Sequence, residues 1–115
     1  MATRVPRIDD EIRDLREKLD LTQEQLAQVL GVTARTVSRW EHGAIPQPLA
    51  RRAIQRWQKV LDRLQDVFGA DDLRAWFHAP NDTLGGRTPF EAATTSDGAE
   101  VILDLIDRAE WGIPA

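Results

Sequence analysis

Few side chains in this sequence have the types and spacings that catalyse reactions or hold metal ions. The two histidines, His42 and His78, lie in different halves of the chain, and neither has a second His or Cys at metal-ligand spacing. The chain contains no cysteine, which excludes disulfides and thiolate metal sites. Asp71 and Asp72 fit the first turn of a helix, where the dipole favours negative charge. We therefore expect a protein that is not an enzyme, with no catalytic residue, metal or cofactor.

A different chemistry, contact with DNA, fits a group of polar and small residues between positions 23 and 39. Arginine can donate two hydrogen bonds to a guanine, and alanine can contact a thymine methyl group. A side chain at the start of a helix can bind a phosphate together with the helix N-terminus. The candidate DNA-binding residues in this region are Gln23, Thr33, Ala34, Arg35, Thr36, Ser38 and Arg39.

Two short helices joined by a glycine-containing turn are needed to position these residues. Thr22 with Gln25 three residues later predicts a capping box that begins the first helix, and Gly31 ends it. Thr33 is a good N-cap for the second helix, in which Val37 faces inward. The pattern predicts a helix-turn-helix that buries one face of its second helix and leaves the other free for the major groove.

The remaining chain also has helical periodicity, with apolar residues at spacings of three and four. One helix precedes the helix-turn-helix, and a long helix runs from about residue 47 to Phe68. Their predicted buried residues are Ile8, Ile12, Leu15, Leu19, Leu49, Ala53, Trp57, Val60, Leu64 and Val67. No segment has the alternation of a strand. We predict an all-α protein in which the long helix joins an N-terminal helix-turn-helix bundle (residues 1–60) to a small helical domain (residues 61–115).

Shorter helices are predicted after residue 69. Asp71 is expected to cap the first, Thr88 to begin the second in a capping box with Glu91, and Asp97 to cap the last. The apolar stripe of the last helix consists of Val101, Ile102, Leu105, Ile106 and Ala109. Because this is more apolar surface than one short helix hides alone, we expect a homodimer through residues 61–115.

The charge is divided unevenly along the chain. Residues 1–60 carry eleven Lys and Arg against eight Asp and Glu, a balance of +3, whereas residues 61–115 carry four against eleven, a balance of −7. A basic half joined to an acidic half indicates two different partners. With no apolar secretion signal and no stretch approaching the ~18 apolar residues of a membrane span, a cytoplasmic location without membrane contact is expected, nucleoid-associated when DNA is bound.

Residues 21–43, LTQEQLAQVLGVTARTVSRWEHG, closely resemble the Xre/phage-repressor class of helix-turn-helix regulators, and the resemblance extends over roughly residues 8–60. It implies binding to double-stranded operator DNA. It also implies that Arg16 pairs with Glu41, for which a structural role is expected. Arg51 and Arg52 begin the long helix and either neutralise flanking phosphates or form a solvated face.

Residues 77–113 are similar to the toxin-binding domain of the Xre–MbcA–ParS antitoxins, whose pattern is P-N-x-x-L-G-G-x-T-P-x-E followed by a glycine-started helix. The matching residues are Pro80, Asn81, Leu84, Gly85, Gly86, Thr88, Pro89, Glu91 and Gly98. This resemblance implies a type II toxin–antitoxin pair whose toxin carries a RES domain and consumes NAD. The toxin-binding residues it suggests are Asn81, Leu84, Gly85, Gly86, Trp111, Gly112, Ile113, Pro114 and Ala115.

The last five of these residues carry no side-chain charge. Gly112 and Pro114 prevent the last helix from continuing, and Trp111 either docks on its own core or stays free. We expect residues 111–115 to occlude the toxin's NAD pocket. The predicted function is an antitoxin that blocks a RES-domain toxin and represses its own operon, with no small-molecule substrate. The alternatives are a dimeric Xre-family repressor without a toxin and an adaptor that has lost DNA binding.

Overall fold

The computed structural model describes residues 7–112, which form seven α-helices, one 3₁₀ helix and no strand. The α-helices are α1 (Ile8–Leu19), α2 (Gln23–Leu30), α3 (Ala34–Glu41), α4 (Pro48–Val67), α5 (Ala70–Phe77), α6 (Pro89–Ala93) and α7 (Gly98–Glu110). The 3₁₀ helix (Asp82–Leu84) lies between α5 and α6. The predicted all-α fold, with a helix-turn-helix followed by a long connecting helix, is confirmed.

Local capping sets the bounds of the helix-turn-helix. The Thr22 side chain accepts the Gln25 backbone N–H at 3.1 Å while the Gln25 side chain accepts that of Thr22 at 2.9 Å, so the predicted capping box is confirmed. Gly31 ends α2 at φ 71°, a left-handed conformation that glycine adopts without steric cost. Thr33 caps α3 by accepting the Thr36 backbone N–H.

The connecting helix α4 is 20 residues long and begins with Pro48 at its first position, where the missing N–H costs nothing. Its fully buried residues are Ile54, Trp57, Val60, Leu61 and Leu64. The prediction that Leu49 is buried is wrong, because that side chain is 80% exposed. The predicted Trp57, Val60 and Leu64 are buried, but near the start of the helix the buried face passes through Ile54, with Ala53 only half-buried, so Leu49 faces outward.

Two of the three predicted caps in the C-terminal half differ from expectation. Gly69 is the N-cap of α5, and Asp71 instead lies inside the first turn, where it pairs with Arg74 at 2.6 Å. Asp97 precedes α7 but makes no cap hydrogen bond, because its carboxylate accepts from the Thr95 hydroxyl.

The third cap, at the start of α6, forms as predicted. Thr88 and Glu91 make a complete capping box, with Pro89 as the first helical residue. The Thr88 backbone N–H donates to the Glu91 carboxylate at 2.9 Å, and this hydrogen bond lowers the pKa of Glu91. The box therefore fixes where the chain turns from the 3₁₀ region into α6.

The centre of the apolar stripe of α7 is buried within the same chain, while Val101 and Ala109 at its two ends are half-buried. Ile102, Leu105 and Ile106 are at most 1% exposed and pack in the core beneath α4. The reason for expecting a homodimer from this stripe is therefore wrong: α4 covers what the short helix cannot hide alone.

A continuous core joins the two halves. Helix α1 packs against α3 and α4 and also against α5, and α4 packs against both α2 and α7. The His78 ring nitrogen Nε2 lies 2.8 Å from the Leu19 carbonyl oxygen, which links α5 to the end of α1. The predicted domain boundary at residue 60 falls inside α4, and its position stays a prediction.

Gly98 allows α7 to begin directly against α6. A Cβ at this position would lie 2.6 Å from the Ala93 carbonyl oxygen and 2.7 Å from that of Ala92, closer than real Cβ contacts come. These are backbone atoms, so they cannot move aside without shifting α6. The residue type therefore follows from packing between the two helices.

We expect Gly98→Ala to lower the free energy of unfolding by about 1–3 kcal/mol, the usual cost of overpacking a core. Thermal or urea unfolding measures this. Gly69→Ala is the matched control, because φ is −67° there and no atom lies within 4 Å of the added Cβ. Equal stability of the two variants would contradict the close approach.

Candidate nucleic-acid and partner-binding surfaces

The helix α3 has one buried face and one exposed face. Val37 and Trp40 are 0% and 4% exposed and hold the helix against the core. Arg35 and Arg39 are exposed, and neither guanidinium group has an ion-pair or hydrogen-bond partner within residues 7–112. Two unpaired guanidinium groups on one exposed face of a pinned helix are suited to base and phosphate contacts in a major groove.

The other candidate DNA-binding residues of the helix-turn-helix are only partly free. The Thr33 and Thr36 hydroxyls are 2.9 Å apart and belong to the N-terminal cap of α3. Ala34 and Ser38 are half-buried, and Gln23 is half-buried at the first position of α2. Thr33 and Thr36 fix the start of α3, the helix that carries Arg35 and Arg39. That these residues bind DNA stays a prediction.

The predicted Arg16–Glu41 pair is present and is larger than expected. Arg16 Nη1 donates to Glu41 Oε1 at 2.6 Å, and Arg16 Nε donates to the Leu21 carbonyl. Arg13, which the sequence analysis did not identify, donates to the Glu41 carbonyl oxygen at 2.8 Å. Glu41 is 7% exposed. Arg13 Nε also lies 3.9 Å from Glu41 Oε2, so the buried carboxylate at the end of α3 is hydrogen-bonded to Arg16 and forms a longer ion pair with Arg13. These contacts fix the recognition helix relative to the first helix.

The two candidate arginines at the start of α4 have different surroundings. Arg51 Nη1 donates to Glu11 Oε2 at 2.6 Å, so it ties α4 to α1. Arg52 is exposed and has no ion-pair partner among the residues that the structure describes. If Arg51 bound a phosphate, its guanidinium would be shared between the phosphate and Glu11. Arg52 has no such competing carboxylate within the described residues.

The Pro-Asn-Asp-Thr-Leu-Gly-Gly segment forms a closed loop. Asn81 is buried, and its side-chain oxygen accepts the Thr83 N–H at 2.9 Å. Its backbone bonds to both Arg87 and Gly86 close the loop. Gly85 and Gly86 have φ of 68° and 88°, which explains glycine at both positions. Asn81 therefore shapes the loop from inside, while toxin contact by Leu84 and the two glycines stays a prediction.

The end of α7 exposes a large aromatic side chain. Trp111 follows the helix directly and is 83% exposed, so of the two alternatives it does not dock on its own core. Gly112 has φ 73° and ends the helical conformation as predicted. Ile113, Pro114 and Ala115 lie outside the described residues. No hydrogen bond, ion pair or ring contact within residues 7–112 joins Trp111 to the 81–86 loop.

The part of the chain that the structure describes contains no cluster of three or more His, Cys, Asp and Glu that could hold a metal ion. His42 lies at the end of α3 with Nδ1 2.7 Å from the Ser38 carbonyl, a helix-terminal contact. None of the helices between residues 7 and 112 has the length and apolar character to cross a membrane.

Two family models match the chain, one within its N-terminal half and one within its C-terminal half. Residues 63–112 match the antitoxin Xre/MbcA/ParS C-terminal toxin-binding domain, and residues 12–57 match a helix-turn-helix family. The mycobacterial cidal antitoxin MbcA of Mycobacterium tuberculosis (strain ATCC 25618 / H37Rv) is 32% identical over 99 residues, which cover 84% of this chain and 86% of the relative.

Two further comparisons agree with this result. The antitoxin Xre of Yersinia enterocolitica serotype O:8 is 32% identical over 92 residues, 77% of this chain and 62% of the relative. A chain in the crystal structure of the M. tuberculosis MbcT–MbcA toxin–antitoxin complex has a TM-score of 0.71 and 27% identity, covering 96% of this chain and 100% of that one.

The matched segments and the relatives define a helix-turn-helix protein with a C-terminal toxin-binding domain. The chain belongs to the Xre/MbcA/ParS family of antitoxins. The resemblance stated from residues 21–43 and 77–113 is thereby confirmed, and so is the expectation of a protein that is not an enzyme, since its relatives are antitoxins.

The shared carboxylate of Glu41 gives a testable consequence for stability. Glu41→Gln leaves Arg13 and Arg16 without their counter-charge at a site that is largely closed to water. Because Arg16 is still 28% exposed, we expect a loss of about 1–3 kcal/mol, between the values for surface pairs and fully buried pairs. Chemical unfolding measures it. Asp14→Asn, which breaks the exposed pair with Lys18, is the control, and matching stabilities would show that the Glu41 pair is not structural.

Proposed function

We propose that this antitoxin binds and neutralises a RES-domain toxin that degrades NAD by blocking the toxin's active site, and that it represses its own operon through the helix-turn-helix. The observation that carries the first part is the exposed Trp111 at the end of α7, inside a matched toxin-binding domain. Co-expression with the product of the neighbouring reading frame, followed by co-purification and an assay of NAD consumption, tests it. A neighbouring protein without a RES domain would favour the alternative, a repressor without a toxin.

The toxin-blocking part is supported by the chemistry of the segment that begins at Trp111. An aromatic side chain that is largely exposed at a helix end leaves its apolar surface in contact with water. Burying that surface in a concave partner would stabilise the complex. The surrounding domain is acidic, with a balance of −7 over residues 61–115. A pocket that holds the phosphates of NAD is expected to be basic, so the two surfaces are complementary in charge.

The DNA-binding part is supported by the free cations of the N-terminal half. Arg35 and Arg39 lack partners within residues 7–112 and lie on the exposed face of α3. Repression of an operator by two half-sites requires two copies of the chain. We therefore infer a homodimer from half-site binding, because α4 already covers the buried part of the α7 stripe within one chain.

Replacing either arginine of the recognition helix is expected to weaken operator binding. Arg35→Ala and Arg39→Ala should each cost about 1–3 kcal/mol if the side chain contacts a base, without changing the fold. Fluorescence anisotropy with the operator fragment at fixed salt measures the affinity. Arg74→Ala removes the same charge from α5 and serves as the control for long-range electrostatics. Unchanged affinity for both recognition-helix variants would exclude this role.

Shortening the chain after Trp111, by removing residues 112–115, is expected to weaken toxin inhibition while DNA binding and the sedimentation of the dimer stay unchanged. Trp111→Ala should act in the same direction, because the aromatic anchor is lost. Inhibition of NAD consumption by the purified toxin measures both. Leu49→Ala, at a similarly exposed residue of α4, is the control. Full protection of cells by the shortened chain would overturn the blocking mechanism.

A further inference from the structure

Among the described residues, a single side chain from another helix forms polar contacts with the last turn of α7. The core residues of α7 end at Ile106, and no residue from 107 to 112 is fully buried. Arg63 of α4 reaches across and donates from Nη2 to Asp107 Oδ1 at 2.8 Å and to Glu110 Oε1 at 3.0 Å. Among the described residues, no other side-chain hydrogen bond or ion pair links this turn to another helix.

The electrostatics of this turn explain why it needs such a contact. Asp107 and Glu110 place two negative charges at the C-terminus of a helix, where the helix dipole is itself negative and disfavours them. The guanidinium of Arg63 offsets this repulsion for both carboxylates. Its hydrogen bonds to Asp107 and then to Glu110 raise the pKa of Arg63 above its ordinary value.

The contact contributes little to global stability but acts at a critical place. The side chains of the three residues are between 37% and 57% exposed, and ion pairs this open to solvent contribute little to the free energy of folding. However, Glu110 immediately precedes Trp111, and Asp107 lies one helical turn before it. The Trp111 N–H itself donates to the Asp107 carbonyl at 3.1 Å, and the Gly112 N–H donates to that of Ala109 at 3.1 Å. If the turn unwinds, the direction in which Trp111 leaves the domain is no longer defined.

We propose that Arg63 is a positioning residue for toxin inhibition: by holding Asp107 and Glu110, it keeps the last turn of α7 helical and fixes the direction of Trp111. The inference rests on the proposed function, because it assigns a residue that the toxin-binding segment depends on. Arg63 itself need not touch the toxin. A preformed segment loses less conformational freedom on binding than one that must first fold.

The experiment compares Arg63→Ala with Arg56→Ala. Arg56 also lies on α4 and pairs with α7, but at the first turn of that helix, through Glu100 at 2.8 Å; its side chain is 59% exposed, against 37% for Arg63. Amide hydrogen exchange on the free antitoxin reads the local effect. Each exposed ion pair should change the equilibrium between the helical and the unwound last turn by a factor of about 1.5 to 5. Because Arg63→Ala removes two such pairs, we expect the Trp111 and Gly112 amides to exchange roughly 2- to 30-fold faster in this variant. In Arg56→Ala those amides should keep their rates.

The second measurement is the concentration of antitoxin that half-inhibits NAD consumption by the RES-domain toxin. It should rise by a similar factor in Arg63→Ala and stay unchanged in Arg56→Ala, while both variants keep the parent melting temperature within a few degrees. Arg63→Lys retains a cation beside both carboxylates and should recover most of the inhibition. This recovery distinguishes a charge contact from packing of the longer side chain.

The outcomes separate this inference from the proposed function. Unchanged exchange at Trp111 and Gly112 would overturn the role of Arg63 without involving the toxin. Faster exchange with unchanged inhibition would also overturn it, provided that the chain shortened after Trp111 inhibits poorly. If the shortened chain inhibits fully, the proposed blocking mechanism fails and the inference fails with it.

Discussion

The continuity of α4 is the constraint on which the rest of the structure depends. The helix-turn-helix match ends at residue 57 and the toxin-binding match begins at residue 63, and both positions lie inside this one helix. Trp57 and Leu64, one on each side of the junction, are both buried in the same core. A helix rises by about 1.5 Å per residue and bends little, so the two matched segments are held at a fixed separation and not on a flexible linker.

Ion pairs in this chain divide the basic residues into those that assemble the fold and those left for a partner. Arg13, Arg16 and Arg51 of the basic half bind carboxylates that are at most about a tenth exposed, and they tie α1 to the recognition helix and to α4. Arg35, Arg39 and Arg52 have no such partner within residues 7–112. The net charge of the half does not make this distinction, because it counts a guanidinium that is already neutralised equally with one that is free.

The two capping boxes were predictable from the sequence, whereas the single-residue caps at Asp71 and Asp97 and the features that depend on how helices cross were not. The capping boxes at Thr22 and Thr88 follow from residues three apart, and both are present. The position of Leu49 was mistaken because residues 49, 53 and 57 fit helical spacing as well as 50, 54 and 57 do. Only the packing of α4 against its neighbours chooses between these two stripes.

The same limit applies to the candidate sites. Arg16 and Glu41 could be paired from the family resemblance, but the pairs of Glu11 with Arg51 and of Arg63 with Asp107 span 40 and 44 residues. Nothing in their local sequence marks them. The exposure of Trp111 was likewise left open, since a tryptophan after an apolar helix is compatible with either a buried or a free position.

A rigid connection between two candidate binding surfaces fixes their relative position, but it does not by itself let a ligand at one surface change the affinity of the other. Coupling between sites requires an element with two states whose balance both ligands change, and a packed core such as the one under α4 resists small continuous deformation. A toxin bound at the end of α7 would therefore affect the helix-turn-helix in one of two ways. It would contact the DNA or a second copy directly, or it would change the spacing of two copies relative to the half-sites. Both effects would depend on the direction in which α7 ends, which makes the geometry of that last turn relevant to both of the proposed activities.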